Sequence, residues 1–210
     1  MSEKYDALGI NGQTKILELS DRIIEYRTAN DTDVARAEFS LDRSLRWSLG
    51  RVLVEDWRAN LRQVLFVMCN PSTADAFKLD PTVGRCVKHA RFWGFGMLEV
   101  VNLYAWRSQF PKDVKNLLER AKRDGRDGAR MTGSDETNDE IIIAAADRSE
   151  MIVCAWGAME FTWARGRRVR DMLSPRVLYH LGKSQDGHPK HPLARGKASI
   201  PATQQPIRWS

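Results

Sequence analysis

The sequence predicts an α/β protein, a three-layer α/β/α sandwich with a mainly parallel four-stranded central sheet, preceded by an N-terminal helix and flanked by possible edge strands. Two observations carry this expectation. From residue 64 onward, four continuous apolar runs alternate with helix-like segments, the pattern of strands covered on both faces. Ahead of them, residues 14–28 carry apolar side chains at helical spacing. A chain of 210 residues suits one domain of ordinary size. We read residues 1–35 as a helical extension and residues 36–210 as a single α/β domain.

In the first segment, "TKILELSDRIIEYRT", Ile16, Leu19, Ile23 and Tyr26 fall three or four residues apart. Residues 37–57 alternate around Phe39, Leu41, Leu45, Trp47 and Leu49, which predicts one or two half-buried strands, an antiparallel pair at a sheet edge. The first apolar run, residues 64–69, leads to a helix over residues 81–93. Asp80 can cap that helix and Pro81 takes its first position, where a missing N–H costs nothing. Gly94 and Gly96 end it. The second run, "MLEVVNLY", precedes a helix over residues 111–123. A polar loop then leads to a helix at 138–146. The third run, "MIVCAW", gives way to a basic helix at 161–173, and the fourth, "RVLYHL", enters a tail rich in Gly, Pro and His.

Composition narrows the class. The apolar fraction is 42% and the mean hydropathy −0.46, and no run approaches the roughly 20 apolar residues of a membrane helix. The first residues show no secretory signal, so the expected setting is cytoplasmic and without a membrane partner. Cys69, Cys86 and Cys154 lie far apart with no CxxC pair, as expected of free thiols in a reducing compartment. No metal-ligand spacing and no Gly-rich phosphate loop is present, so neither a metal nor a cofactor is expected.

The net charge of +6 is concentrated in patches, at residues 120–130, at "RGRRVR" over 165–170, and at Lys183, Lys190, Arg195 and Lys197. Such patches favour a polyanionic partner, DNA or a nucleotide. Arg165, Arg167, Arg168, Lys190 and Arg195 are the candidate contacts to a nucleic-acid backbone. A solvated exposed face is the alternative for "RGRRVR". His89 and His180 lie within a helix and a strand-like run and are expected to be structural. A monomer is the default.

In an open parallel sheet, ligands bind beyond the carboxyl ends of the strands. The unusual residues gather there. After the first run come Asn70, Pro71, Ser72, Thr73 and Asp75, with Asp80 beyond. The second gives Asn102, Tyr104, Trp106 and Arg107, and the third Trp156 and Gly157. His188 and His191 follow the fourth. A general base must be a carboxylate, Asp75 or Asp80, or a histidine, because an amide has no useful pKa. A triad of Ser72, His191 and Asp75 lacks the Gly-x-Ser-x-Gly elbow. Aromatics beside basic patches suit stacking of a base and neutralisation of phosphates.

The blocks "FVMCNPSTAD", "DPTVGRC", "WGFGMLEVVNLYAWR", "ND" at residues 138–139, "AWG" and "LGKSQDGHPKHPL" resemble the bacterial and phage family catalogued as domain of unknown function 1643. Their order is also similar, more distantly, to the uracil-DNA glycosylase superfamily. The counterparts are Asn70-Pro71, the segment from Asn102 to Pro111, Trp156-Gly157, and either His188-Pro189 or His191-Pro192, the latter followed by Leu193. Ser72 stands where that superfamily has glycine. The resemblance implies a glycosylase-like hydrolase acting on a modified base or nucleoside, chiefly in DNA. Asn70 would position the attacking water, His191 would hydrogen-bond the departing base, and Asn102 would contact the base edge. Tyr104, Trp106 or Trp156 would supply a stacking surface. The alternatives are a non-catalytic base-binding module and an enzyme of free nucleotides.

Overall fold

The computed structural model describes residues 12–29, 32–53 and 62–209. Its strands are β1 (Gly12–Glu18), β2 (Arg22–Ala29), β3 (Thr32–Ser40), β4 (Arg46–Val52), β5 (Gln63–Met68), β6 (Met97–Asn102), β7 (Met151–Cys154), β8 (Leu178–His180) and β9 (Ile207–Arg208). The helices are α1 (Pro81–Phe92), α2 (Pro111–Arg123), α3 (Gly128–Thr132), α4 (Glu136–Asp147) and α5 (Trp163–Leu173).

The nine strands form one mixed sheet in the order β1-β2-β3-β4-β6-β5-β7-β8-β9. This corrects the expected four-stranded, mainly parallel sheet. Only the pairings β6–β5, β5–β7 and β7–β8 are parallel, whereas β1 to β4, the β4–β6 junction and β8–β9 are antiparallel. Apolar runs report burial on both faces and are blind to the half-buried antiparallel strands beside them.

The expected N-terminal helix is likewise corrected. Residues 14–28 fall in β1 and β2, which pair antiparallel from Gly12↔Ala29 to Glu18↔Ile23. The stripe was broken in its middle by turn residues: the Leu19 amide donates to the Arg22 carbonyl at 2.8 Å across Ser20-Asp21. Ile23, Ile24, Tyr26 and Thr28 are β-branched or aromatic, which suits a pleated ladder. Ile16, Leu17 and Leu19 stay exposed. The alternating segment does form an antiparallel pair, β3 with β4, but β4 lies inside the sheet against β6, and β1 is the edge.

Alternate residues of β5 explain its unbroken apolar run. Val64, Phe66 and Met68 enter one core with Val83, Cys86 and Ala90 of α1. Leu65, Val67 and Cys69 enter the other with Val114 of α2, Ile142 of α4 and Val169 of α5. All six are essentially buried. At roughly 1.5–3 kcal/mol per large buried aliphatic side chain, this strand is a principal source of stability. Where β5 and β6 end together and β4 begins, the sheet presents a rim.

Candidate functional site

The end of β6 is held from behind. Asn138, fully buried at the start of α4, donates from Nδ2 to the carbonyls of Asn102 at 3.0 Å and Leu103 at 3.2 Å. Arg165 of α5 donates from Nε to the same Leu103 carbonyl at 3.0 Å and forms an ion pair with Asp139 at 2.5 Å. The segment after β6 then pairs with the α3–α4 turn, the Ala105 amide donating to the Gly133 carbonyl at 2.9 Å. Gly133 has φ +59°, and a Cβ there would lie 2.8 Å from the Ala105 Cβ, so this close approach needs glycine.

Held in this way, Asn102 lines a cavity of about 200 Å³. It is 1% exposed, and neither its Nδ2 nor its Oδ1 meets a hydrogen-bond partner among the described residues. An unpaired buried amide group costs about 1–3 kcal/mol. Such a cost persists where a ligand repays it.

Asn70, at the end of β5, lines the same cavity in the opposite state. Its Nδ2 donates to the carbonyls of Ser108 at 2.9 Å, Pro71 at 3.2 Å and Trp106 at 3.5 Å. Its donors are spent, and Oδ1 remains as a fixed acceptor. Ser72 also lines the cavity, which Met68, Val83, Val100 and Met159 line with apolar surface.

Asp80 supplies the cavity's carboxylate. It is 7% exposed, and its Oδ1 accepts from the Val83 amide at 2.8 Å as the cap of α1. That hydrogen bond fixes the carboxylate at the positive end of the helix. Opposite, the His191 Nδ1 accepts from the Leu193 amide at 3.1 Å. The proton of the neutral ring therefore sits on Nε2, making it a donor. Burial holds the His191 imidazole below its ordinary pKa, with the Asp80 carboxylate acting in the other sense. The neutral donor form dominates at pH 7.

The structure therefore brings together Asn70, Ser72, Asp80, Asn102 and His191. The other sequence candidates lie elsewhere. The Asp75 Oδ1 accepts from the amides of Phe77 and Lys78 at 2.8 Å each, closing a turn. Pro71 is buried, and its carbonyl also accepts from the Ser108 amide at 2.9 Å. Thr73 is half-buried beyond the cavity lining. Tyr104 packs in the core and donates to the Phe161 carbonyl at 3.0 Å. Trp156 is core, with Gly166 of α5 seated against its indole. Trp106 and Arg107 face a shallow surface depression, and Arg107 lies over the Phe39 ring. Gly157, at φ +87°, passes beside His191, with an added Cβ 3.7 Å from the His191 Cβ. His188 stacks on Trp163 with ring centroids 4.6 Å apart. No Phe, Tyr or Trp ring lines the cavity among the described residues.

The basic candidates divide. Arg165 is buried, and Arg168 pairs with Asp139 at 2.6 Å. Both serve the clamp behind β6. Arg167 and Arg195 are exposed and Lys190 is half-buried against Gly182.

Sequence reasoning missed Arg46, Thr82, Ser108 and Gln109 in the cavity wall. Ser108 and Gln109 lie within the segment from Asn102 to Pro111 that the sequence singled out, and were within reach. Arg46 carried no signal, because a polar residue in an alternating strand reads as solvent-facing.

The sequence profile of the family described as "Protein of unknown function (DUF1643)" matches residues 46–193. The chain belongs to that family. The matched span of this DUF1643 protein starts at Arg46 and takes in every cavity residue named above. No curated protein and no solved structure gives a significant match. Among the described residues there is no cluster of His, Cys, Asp and Glu able to hold a metal ion, and no helix long and apolar enough to cross a membrane.

Proposed function

We propose that the cavity is a glycosylase-like active site that hydrolyses the N-glycosidic bond of a base or nucleoside, with a modified base in DNA as the leading substrate. The observation that carries this reading is the unpartnered Asn102 amide, buried in a base-sized cavity that Asn70, Asp80 and His191 also line. One amide offers a donor and an acceptor side by side, the pattern that reads the hydrogen-bonding edge of a base. The distant resemblance to the uracil-DNA glycosylase superfamily supports the same assignment.

The chemistry follows from what each group has left to offer. Cleavage of the C1′–N bond leaves positive charge on the sugar and sends the bonding pair to the base. Asn70 Oδ1 accepts a hydrogen bond from a water and orients its oxygen towards C1′. The Asp80 carboxylate stabilises the cationic sugar and receives the proton the water gives up. His191 Nε2–H donates to the base as its negative charge grows, a preorganised donor in a shielded site. The methionine and valine side chains provide flat apolar walls in place of aromatic stacking.

A second reading, action on free nucleosides or nucleotides, is favoured by the engagement of Arg165 and Arg168 with Asp139. Incubation with DNAs carrying different modified bases, and with free nucleosides, followed by mass spectrometry of released base, tests both. The expected result is base release that falls at least about 100-fold in Asn70→Ala and in His191→Ala, with unchanged circular dichroism. Release from DNA whose rate falls steeply with salt identifies the polymer as substrate. No released base from any of these substrates, or full activity in both variants, removes the assignment.

A further inference from the structure

Arg46 has no role in the reaction just described, yet it is the most unusual residue of the cavity. It opens β4, on the antiparallel side of the sheet, and lines the cavity while being 1% exposed. Its Nη1 donates to the Ala74 carbonyl at 2.6 Å, and its Nε meets no partner among the described residues. Among the described residues, no carboxylate forms an ion pair with it. Asp80 and Asp75 attract it from a distance, while Arg107 and Arg51 repel it. Burial pushes its guanidinium down to about 9, the mark of a cation whose lost hydration is not repaid by the protein.

Buried charges are ordinarily paired, because leaving one unpaired costs several kcal/mol. Arg46 departs from that rule beside a second departure, the unpartnered Asn102 amide in the same cavity. Arg46 keeps an unpartnered Nε and Asn102 an unpartnered amide, and both residues line one cavity. They complement each other, as a guanidinium offers parallel donors to a delocalised anion.

We infer that the cavity contains an anion subsite in which Arg46 binds a planar, singly charged group of the ligand, such as a carboxylate borne by the base. This rests on the reading of the cavity as a base pocket and adds to it the charge of the ligand. The charge is single because the Asp80 carboxylate lines the same cavity and repels a doubly charged phosphate. The group is planar because the guanidinium edge that carries the unpartnered Nε presents coplanar donors, the geometry that matches a carboxylate.

Calorimetric titration of the intact protein with uracil-6-carboxylate, uracil and inorganic phosphate tests this without requiring turnover. The expected result is that the carboxylated base binds at least about 10-fold more tightly than uracil, the value of one charge-assisted hydrogen bond, and more tightly than phosphate. Arg46→Gln abolishes that preference, and Arg46→Lys retains part of it, with both variants first shown to be folded by circular dichroism. Equal affinity of the wild type for the charged and neutral bases overturns the proposal whatever the variants do, as does tighter binding of phosphate. A folded Arg46→Gln protein that keeps the preference overturns it too. Carboxylate preference in a protein that releases no base leaves the anion subsite standing and removes only the hydrolase reading.

Discussion

Two neighbouring strands, β5 and β6, bring an asparagine to the rim, β6 at its last residue and β5 two residues beyond its end, and the two side chains are used in opposite ways. Asn70 gives its amide hydrogens to three backbone carbonyls and is thereby locked. Asn102 gives nothing, and its backbone is locked instead, through Asn138 and Arg165 on the helices behind. The first arrangement yields one aimed acceptor. The second yields a complete donor–acceptor pair left open to the cavity. A side chain can thus be positioned by its own hydrogen bonds or by those of its strand, and only the second way keeps its full chemistry for a ligand.

The comparison predicts opposite consequences for one substitution. Asn102→Leu is expected to lower turnover at least about 100-fold, since the base edge loses both partners. Its stability should stay level or rise by up to about 1 kcal/mol, because an unpaired buried amide is removed. Asn70→Leu should instead cost about 1–3 kcal/mol, as the Ser108 and Pro71 carbonyls lose a donor. Urea unfolding of the two variants decides this; equal destabilisation would break the contrast.

The clamp itself is the next target. Asn138→Ala should lower stability by about 2 kcal/mol and also lower turnover, because the Asn102 carbonyl loses its Asn138 donor and the Leu103 carbonyl is left with Arg165 alone. Loss of stability with unimpaired turnover would show that the strand end holds its place without Asn138. Gly133→Ala forces a Cβ to within 2.8 Å of Ala105 at φ +59° and should cost about 1–3 kcal/mol by the same readout.

The pH dependence gives a smaller effect. Burial lowers the His191 pKa, so the folded protein binds that proton less readily than the unfolded chain. The associated stability is complete above the ordinary value of 6.5 and is lost as pH falls through the depressed folded value. Turnover should therefore hold from pH 7 down past 6.5 before declining, and His191→Gln should remove that acid limb from the pH–rate profile. Smallest of all, Arg168→Ala should change stability by no more than about 1 kcal/mol, because the exposed side of its pair with Asp139 is solvated.

Much of the rim was legible in the sequence. The strand ends carrying Asn70 and Asn102 announced themselves by polar residues directly after apolar runs, and Asp80-Pro81 marked the start of α1. What was not legible has physical reasons. The β1–β2 hairpin carried apolar residues at a spacing compatible with a helix, and only the Ser20-Asp21 turn argued against it. Tyr104 and Trp156 looked like stacking surfaces because an aromatic after a strand has the same spelling in a core and in a pocket. Arg165 looked like a DNA contact because its partner, Asp139, lies on another helix. Arg46 was invisible because its burial depends on a pairing between β4 and β6 that no local pattern encodes.

That pairing has a mechanical consequence. Because β4 runs antiparallel to β6, from Ser48↔Val101 to Val52↔Met97, the residue that opens one strand shares a rim with the residue that closes the other. A ligand touching Arg46 and Asn102 together would act as a rivet across the seam between the parallel and antiparallel halves of the sheet. Amide hydrogen exchange should then slow on ligand binding not only in β4, which carries Arg46, but also along β3, which lines no part of the cavity.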